Sequence, residues 1–314
     1  MVGKDVCEPC VYEKAAMTPM PSAGGGRVSK RLQLVHSDLG GLMSEPSRGG
    51  ALCFGTSTDD FSRWTDVVFL QIKSDLLSEY KKWLTKALLH TGTKIKSLRS
   101  YNGGEYVSSA FKALQDENGT THQTTVPDTP QQNGVAERLN RVLVEMARTM
   151  MRHKDVDQDL WADAIKTAVY IKNSVTRRAL PVGKTPFVLW NANKPNVSHM
   201  RVFGSICWVV LHKSHIDGKF GDKAAKGVFL GYPDGSKAHK VILDDGKVVK
   251  ARSVVFAETN VSEAAEIAEE LPGDENVEVE TGFRFASDGE SVDADNDDQD
   301  DKQDDASDKS TDDN

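Results

Sequence analysis

The chain has 314 residues, with 47 Asp and Glu against 39 Lys and Arg, a formal net charge of -8 at pH 7. Taken whole, that balance argues against a nucleic-acid binder. Four cysteines exclude a disulfide framework for this length, and no apolar run approaches the roughly 20 residues of a membrane span.

The average conceals two segments of opposite sign. Ala257–Asn314 holds 22 acidic and 3 basic residues, whereas Met1–Phe256 holds 25 acidic and 36 basic. The N-terminal MVGKDVCEPC lacks the apolar stretch of a secretory signal, so an intracellular, reducing compartment is expected. Residues 1–30 carry a Cys7-x-x-Cys10 pair and then Pro19, Pro21 and three consecutive glycines, the composition of a linker.

From residue 31 the pattern becomes that of a folded core. LQLVHSDL, ALCFGTSTDD and WTDVVFLQI are short apolar or alternating runs that predict three strands. DLLSEYKKWLTKALLH predicts a helix with Leu76, Tyr80, Leu84 and Leu88 on one face. A strand (KIKSLRS), a turn at Asn102–Gly104, a helix (SSAFKALQDEN) and a strand (TTHQTTV) follow. Pro127 and Pro130 punctuate a loop before a long helix, QQNGVAERLNRVLVEMARTMMR, and a second one, DLWADAIKTAVYIKNSV. Three leading strands suggest an antiparallel meander, and helices between later strands suggest crossovers.

Residues 179–200 read as a connector. RVFGSICWVVL, KGVFLGY, HKVIL, KVVKA and SVVF, within 201–257, predict a small antiparallel barrel or sandwich. Its lysines suit either a DNA backbone or the solvated face of a small β-domain. Residues 258–314 have too little aliphatic content to offset their ordering entropy, and an acidic disordered tail is expected there.

Asp38 ends the first strand, and Glu137 opens the long helix. Taken singly, each is an ordinary turn or helix-start carboxylate. Their setting is more informative: HSDLGG, TDDFSRW, LRSYNGGEY and TPQQNGVAERLNR occur in that order, followed by TPFVLW, HMRVFG and KGVFLGY. In order and spacing these segments resemble the integrase region of copia-type LTR retrotransposon Pol polyproteins, from about Cys7 to Glu258. The resemblance implies a ribonuclease H-like α/β core over 31–178, an SH3-like β module over 201–257 and a zinc-domain remnant at the start. It also implies DNA integration, with element ends and target DNA as partners, a possible homo-oligomer, no membrane, and a nuclear or cytoplasmic-particle location.

Such cores carry an Asp, Asp, Glu triad with 35 residues between the second Asp and the Glu. Here 35 residues separate Tyr101 and Glu137, which places Tyr101 at the second Asp. Strand transfer is an in-line displacement at a phosphodiester, and two Mg²⁺ (or Mn²⁺) ions about 4 Å apart stabilise the attacking and leaving oxygens. By resemblance, Asp38 would bridge the metals and Glu137 would ligate one. A phenol is neutral near pH 7 and a poor ligand for a hard cation, so the site is expected to be incomplete.

Gln131, Asn133 and Gly134 lie where the resemblance implies contact with a DNA end; a polar Pro/Gly-punctuated loop is the alternative. Arg138 and Arg141 suit either DNA phosphates or a solvated helix face. Asp59, Asp60 and His36 read as structural, and Cys53 and Cys207 as core. Cys7 and Cys10 have the spacing of half a zinc site. None of the eight histidines precedes them, the first being His36, so zinc is not expected to be held.

Overall fold

The computed structural model describes residues 27–125 and 133–257. Cys7, Cys10, Gln131 and the acidic segment from residue 258 lie outside the described residues, so the zinc, loop and tail expectations stay as stated above.

The first sheet is built from β1 (Val35–Gly40), β2 (Cys53–Asp59), β3 (Thr65–Leu70), β4 (Ser97–Ser100) and β5 (Thr121–Thr124), in the order β3-β2-β1-β4-β5. The first three strands form the antiparallel meander expected, with Asp38 opposite Thr56, while β4 and β5 continue the sheet in parallel. Parallel strands need a crossover. α1 (Leu76–Thr91) supplies it between β3 and β4, and α2 (Gly104–Val107) with α3 (Ser109–Asn118) supplies it between β4 and β5. The turn expected at Asn102–Gly104 is thus the entry to a short helix.

Side-chain spacing explains which face each helix buries. α1 turns Leu76, Tyr80, Trp83, Leu84 and Ala87 inward, and Gly92 ends it at φ +66° with its amide on the Leu88 carbonyl. Trp83 and Ala87 are buried and Leu88 only half-buried, because a 3.6-residue turn alternates steps of four and three and strict steps of four drift off the buried face. Ser108 caps α3 by accepting from the Phe111 amide at 3.3 Å.

On the opposite face lie α4 (Gly134–His153) and α5 (Trp161–Ser174). Strand alternation divides the two cores: Cys53 belongs to the cluster under α1, and Phe54 to the cluster under α5. α4 buries Ala136, Leu139, Leu143 and Ala147, and Met146 and Met150 border that seam. α5 is buried on most of its circumference, because sheet and helix cover one side and a second sheet covers another. α6 (Pro186–Asn191), capped by Thr185, forms within the segment read as a connector, and its Trp190 stacks on Trp64.

The second sheet contains β6 (Ile206–Val210), β7 (Ala224–Gly231), β8 (His239–Leu243), β9 (Val248–Ala251) and β10 (Val254–Phe256). The five strands expected there are present, as an antiparallel sheet in the order β10-β6-β7-β8-β9, with no hydrogen bonds closing it between β9 and β10 among the described residues. Only Arg252 and Ser253 separate β9 from β10, so the sheet curls until its two edge strands lie close together, as in an unclosed barrel. The sheet docks on α5 at a bulge, where Leu230 and Phe203 join Phe54, Trp161 and Ile165 in one apolar cluster. Among the described residues no helix is long and apolar enough to cross a membrane.

Candidate active site

β1 and β4 run parallel, with Ser37 opposite Ser100. The next position along each strand is Asp38 on β1 and Tyr101 just past the end of β4. Tyr101 therefore stands beside Asp38 at the C-terminal edge of the sheet, with half of its surface exposed. α4 packs across β1 and brings Glu137, in its first turn, to the same edge.

Asp38 is half-buried, and its carboxyl is pushed up to about 6. Burial is the largest cause and the charge of Glu137 adds to it, while the Leu39 amide and the Asn140 side chain oppose the rise. Glu137 is itself raised by burial. The two carboxylates thus sense each other, and each proton is held more tightly than in water.

A hydrogen-bond network fixes Asp38. Asn140 Nδ2 donates to Asp38 Oδ2 at 3.0 Å, and Asn140 Oδ1 accepts from the Thr56 hydroxyl at 2.9 Å. One strand position back, Ser37 Oγ donates to the Thr56 carbonyl at 2.9 Å. The buried Tyr106 hydroxyl is then the donor to Ser37 Oγ at 2.8 Å, and burial raises that phenol further. Asn140, Thr56, Ser37 and Tyr106 were not distinguished by sequence reasoning. The available signal was the three-residue spacing of Glu137 and Asn140, which puts them on one helix face.

The other expected residues divide into two groups. Asn133, at the entry to α4, is fully buried and donates Nδ2 to the Ser37 carbonyl at 3.1 Å, tying the helix to β1; its Oδ1 has no partner among the described residues. Gly134 is the first residue of α4, and its carbonyl accepts from Arg138 Nε at 3.0 Å. Arg138 and Arg141 point outward, Arg141 at 4.0 Å from Glu145 in an exposed pair of little energetic weight. His36 and Asp60 form a buried pair at 3.1 Å, and Asp59 accepts from Leu32 and Ser62, as the structural reading of these residues expects.

Among the described residues, no group of three His, Cys, Asp or Glu comes together as a cation site. The edge holds two carboxylates and a phenol.

Residues 205–270 match the family model described as the retroviral polymerase SH3-like domain. The chain is 34% identical over 267 residues to the retrovirus-related Pol polyprotein from transposon TNT 1-94 of Nicotiana tabacum, covering 84% of this chain and 20% of that protein. It is 29% identical over 257 residues to the Pol polyprotein from transposon RE2 of Arabidopsis thaliana, covering 80% and 17%. The chain therefore spans about a fifth of the length of these relatives. Among solved structures, a simian T-cell lymphotropic virus intasome in complex with PP2A regulatory subunit B56 gamma aligns at TM-score 0.46 and 16% identity, covering 81% of this chain and 88% of that one. The HTLV-2 integrase catalytic core domain in complex with magnesium aligns at TM-score 0.39 and 18% identity, covering 51% and 96%.

Proposed function

The homologues of this chain are the retrovirus-related Pol polyproteins of plant copia-type transposons, and from that premise we propose that it is their integrase portion in a form that binds DNA without catalysing strand transfer. On this reading residues 31–178 are the catalytic core, 201–257 the SH3-like module, and the partners are element ends and target DNA in the nucleus. The observation that carries the catalytic half of the proposal is Tyr101 in register beside Asp38.

The viral core above is in complex with magnesium; the donor set here does not fit a pair of such ions. Two hard cations need several carboxylate oxygens converging from three residues. Here two residues supply carboxylates, and the third position presents a half-exposed phenol, neutral near pH 7 and a poor ligand for a hard cation. What the residues can do is bind: Arg138 and Arg141 lie exposed on the turns after Glu137, where a phosphate backbone passing the edge would meet them.

The test is strand transfer with Mg²⁺ or Mn²⁺ by this chain and by its Tyr101→Asp variant, with duplex binding measured for both. The expected result is salt-dependent binding by both proteins and joining by the Asp variant alone. Equal and substantial joining by both would overturn the proposal.

A further inference from the structure

Away from the Asp38 edge, Lys172 at the end of α5 is only 5% exposed and has no hydrogen-bond or ion-pair partner among the described residues. Buried lysines are rare unless paired. Its ammonium faces a second cation: burial is the main cause that pushes it down to about 8, and the Arg177 guanidinium adds to the effect. Arg177, half-buried, is likewise lowered by burial and then by Arg63, and its guanidinium too has no partner among the described residues.

Two sets of contacts bring the segments that carry these groups together, independently of their titration. Asn173, next to Lys172, exchanges two hydrogen bonds with the Thr65 backbone at 3.0 and 2.8 Å, which clamps the end of α5 to the start of β3. Arg27 donates to the Phe61 and Ala179 carbonyls and so joins the β2–β3 turn to the loop carrying Arg177. Arg63 sits in that turn at φ +60°, a disfavoured conformation for a residue with a side chain, kept by its amide on the Asp59 carbonyl.

The carboxylates nearby are already engaged. Asp60 accepts from His36 and pairs with Arg63 Nη1 at 3.0 Å; these partners outweigh its burial and hold it at about 2. Asp59 accepts from the Leu32 and Ser62 amides. Arg63 Nε is buried without a partner among the described residues.

We propose that Lys172, Arg177 and Arg63 form a site for a phosphate-type oxyanion, the chemistry shared by inorganic phosphate and a nucleic-acid phosphodiester. A tetrahedral phosphate group directs its unbridged oxygens out of one plane, so that an ammonium and guanidinium edges can approach it from different sides, whereas a carboxylate presents both oxygens in one plane. The site's chemistry stands alone; only its occupation by DNA rests on the function proposed above.

The experiment uses the full chain with Lys172→Met and Arg177→Gln variants. Thermal midpoints are measured in inorganic phosphate and in chloride at matched ionic strength, and binding of a labelled mixed-sequence DNA duplex is measured across a salt series. Phosphate should raise the midpoint of the unmodified chain and leave both variants unmoved. Lys172→Met, freed of an uncompensated buried charge, should melt higher than the unmodified chain in chloride, which shows that it is folded. Duplex affinity should fall about threefold to tenfold in each variant, with the salt slope reduced by about one. A phosphate response lost in the variants with unchanged duplex binding upholds the oxyanion site and assigns it to a free anion. Loss of duplex affinity alone upholds it as a backbone contact. Variants that match the unmodified chain in both measurements overturn it.

Discussion

Asn140 holds Asp38 from one helical turn beyond Glu137, donating to Oδ2 at 3.0 Å while accepting from Thr56 at 2.9 Å. Helix α4 and strands β1 and β2 are thereby joined through one buried amide with both ends satisfied. Asn140→Ala removes a donor and an acceptor together, leaving Thr56 with only the Asp38 carbonyl at 3.4 Å. The expected loss is about 1–3 kcal/mol in denaturant unfolding. Because the Asn140 bond favours the charged form, the Asp38 carboxyl should also titrate higher in the variant. An unchanged titration would show that the bond does not form in solution.

The raised carboxyl of Asp38 has a stability consequence of definite sign. Its folded value of about 6 exceeds the ordinary 3.8, so between these limits the native state binds more protons than the unfolded chain. This group's contribution therefore declines as pH rises from about 4 to 6. Asp38→Asn should be more stable than the parent at pH 7 and should lose that advantage below about pH 4. Denaturant midpoints over this range measure it, and a variant less stable at pH 7 would contradict the assignment.

Lys172 gives the opposite window. Its folded value of about 8 lies below the ordinary 10.5, so the native state binds fewer protons than the unfolded chain between them. Stability from this group rises with pH across that interval. The difference between the parent and Lys172→Met should narrow steadily from pH 8 to about 10.5, whatever the other lysines and tyrosines contribute to both. A constant difference would mean that Lys172 is solvated.

Gly231 is where the second sheet meets α5. It has φ +112°, and a Cβ there would lie 2.2 Å from Thr167 Oγ1. Gly231→Ala should destabilise by about 1–3 kcal/mol through clash and backbone strain combined. Adding Thr167→Ala relieves only the clash, so the double variant should recover part of the loss. Full recovery would assign the whole effect to sterics.

Deleting residues 259–314 removes 21 acidic and 3 basic residues and leaves a basic chain. Duplex affinity should then tighten at low salt, and the gain should shrink as the screening length falls to about 10 Å near 0.1 M. Filter binding across a salt series measures this. Affinity unchanged at low salt would remove the segment from any account of DNA binding.

Much of the core was legible because its signals are local. Period-2 runs with Gly, Pro and Asp between them locate strands, and the Leu139–Leu143 stripe locates α4, because burial of one face imposes the period. The site was legible in part. Spacing aligned Tyr101 with the second Asp position, and the parallel register of Ser37 with Ser100 sets it beside Asp38. Asn140 was passed over because an amide on a helix is normally solvated, and nothing local reveals that Thr56 and Asp38 lie against it. The pairing order of the second sheet was not legible for a related reason: alternation reports which face of a strand is buried and says nothing of its hydrogen-bonded neighbour.

By itself the sequence determined the strand and helix order, the opposed charges of body and C-terminal segment, and the phenol at a carboxylate position. All are properties of consecutive residues or of spacing along the chain. Tertiary structure alone decided that β9 and β10 end on opposite edges, that Asn140 serves Asp38, and that Lys172 is buried at the end of α5 with no partner among the described residues. Each of these depends on groups far apart in sequence meeting where water is excluded, and there a polar group's energy is set by its neighbours in space.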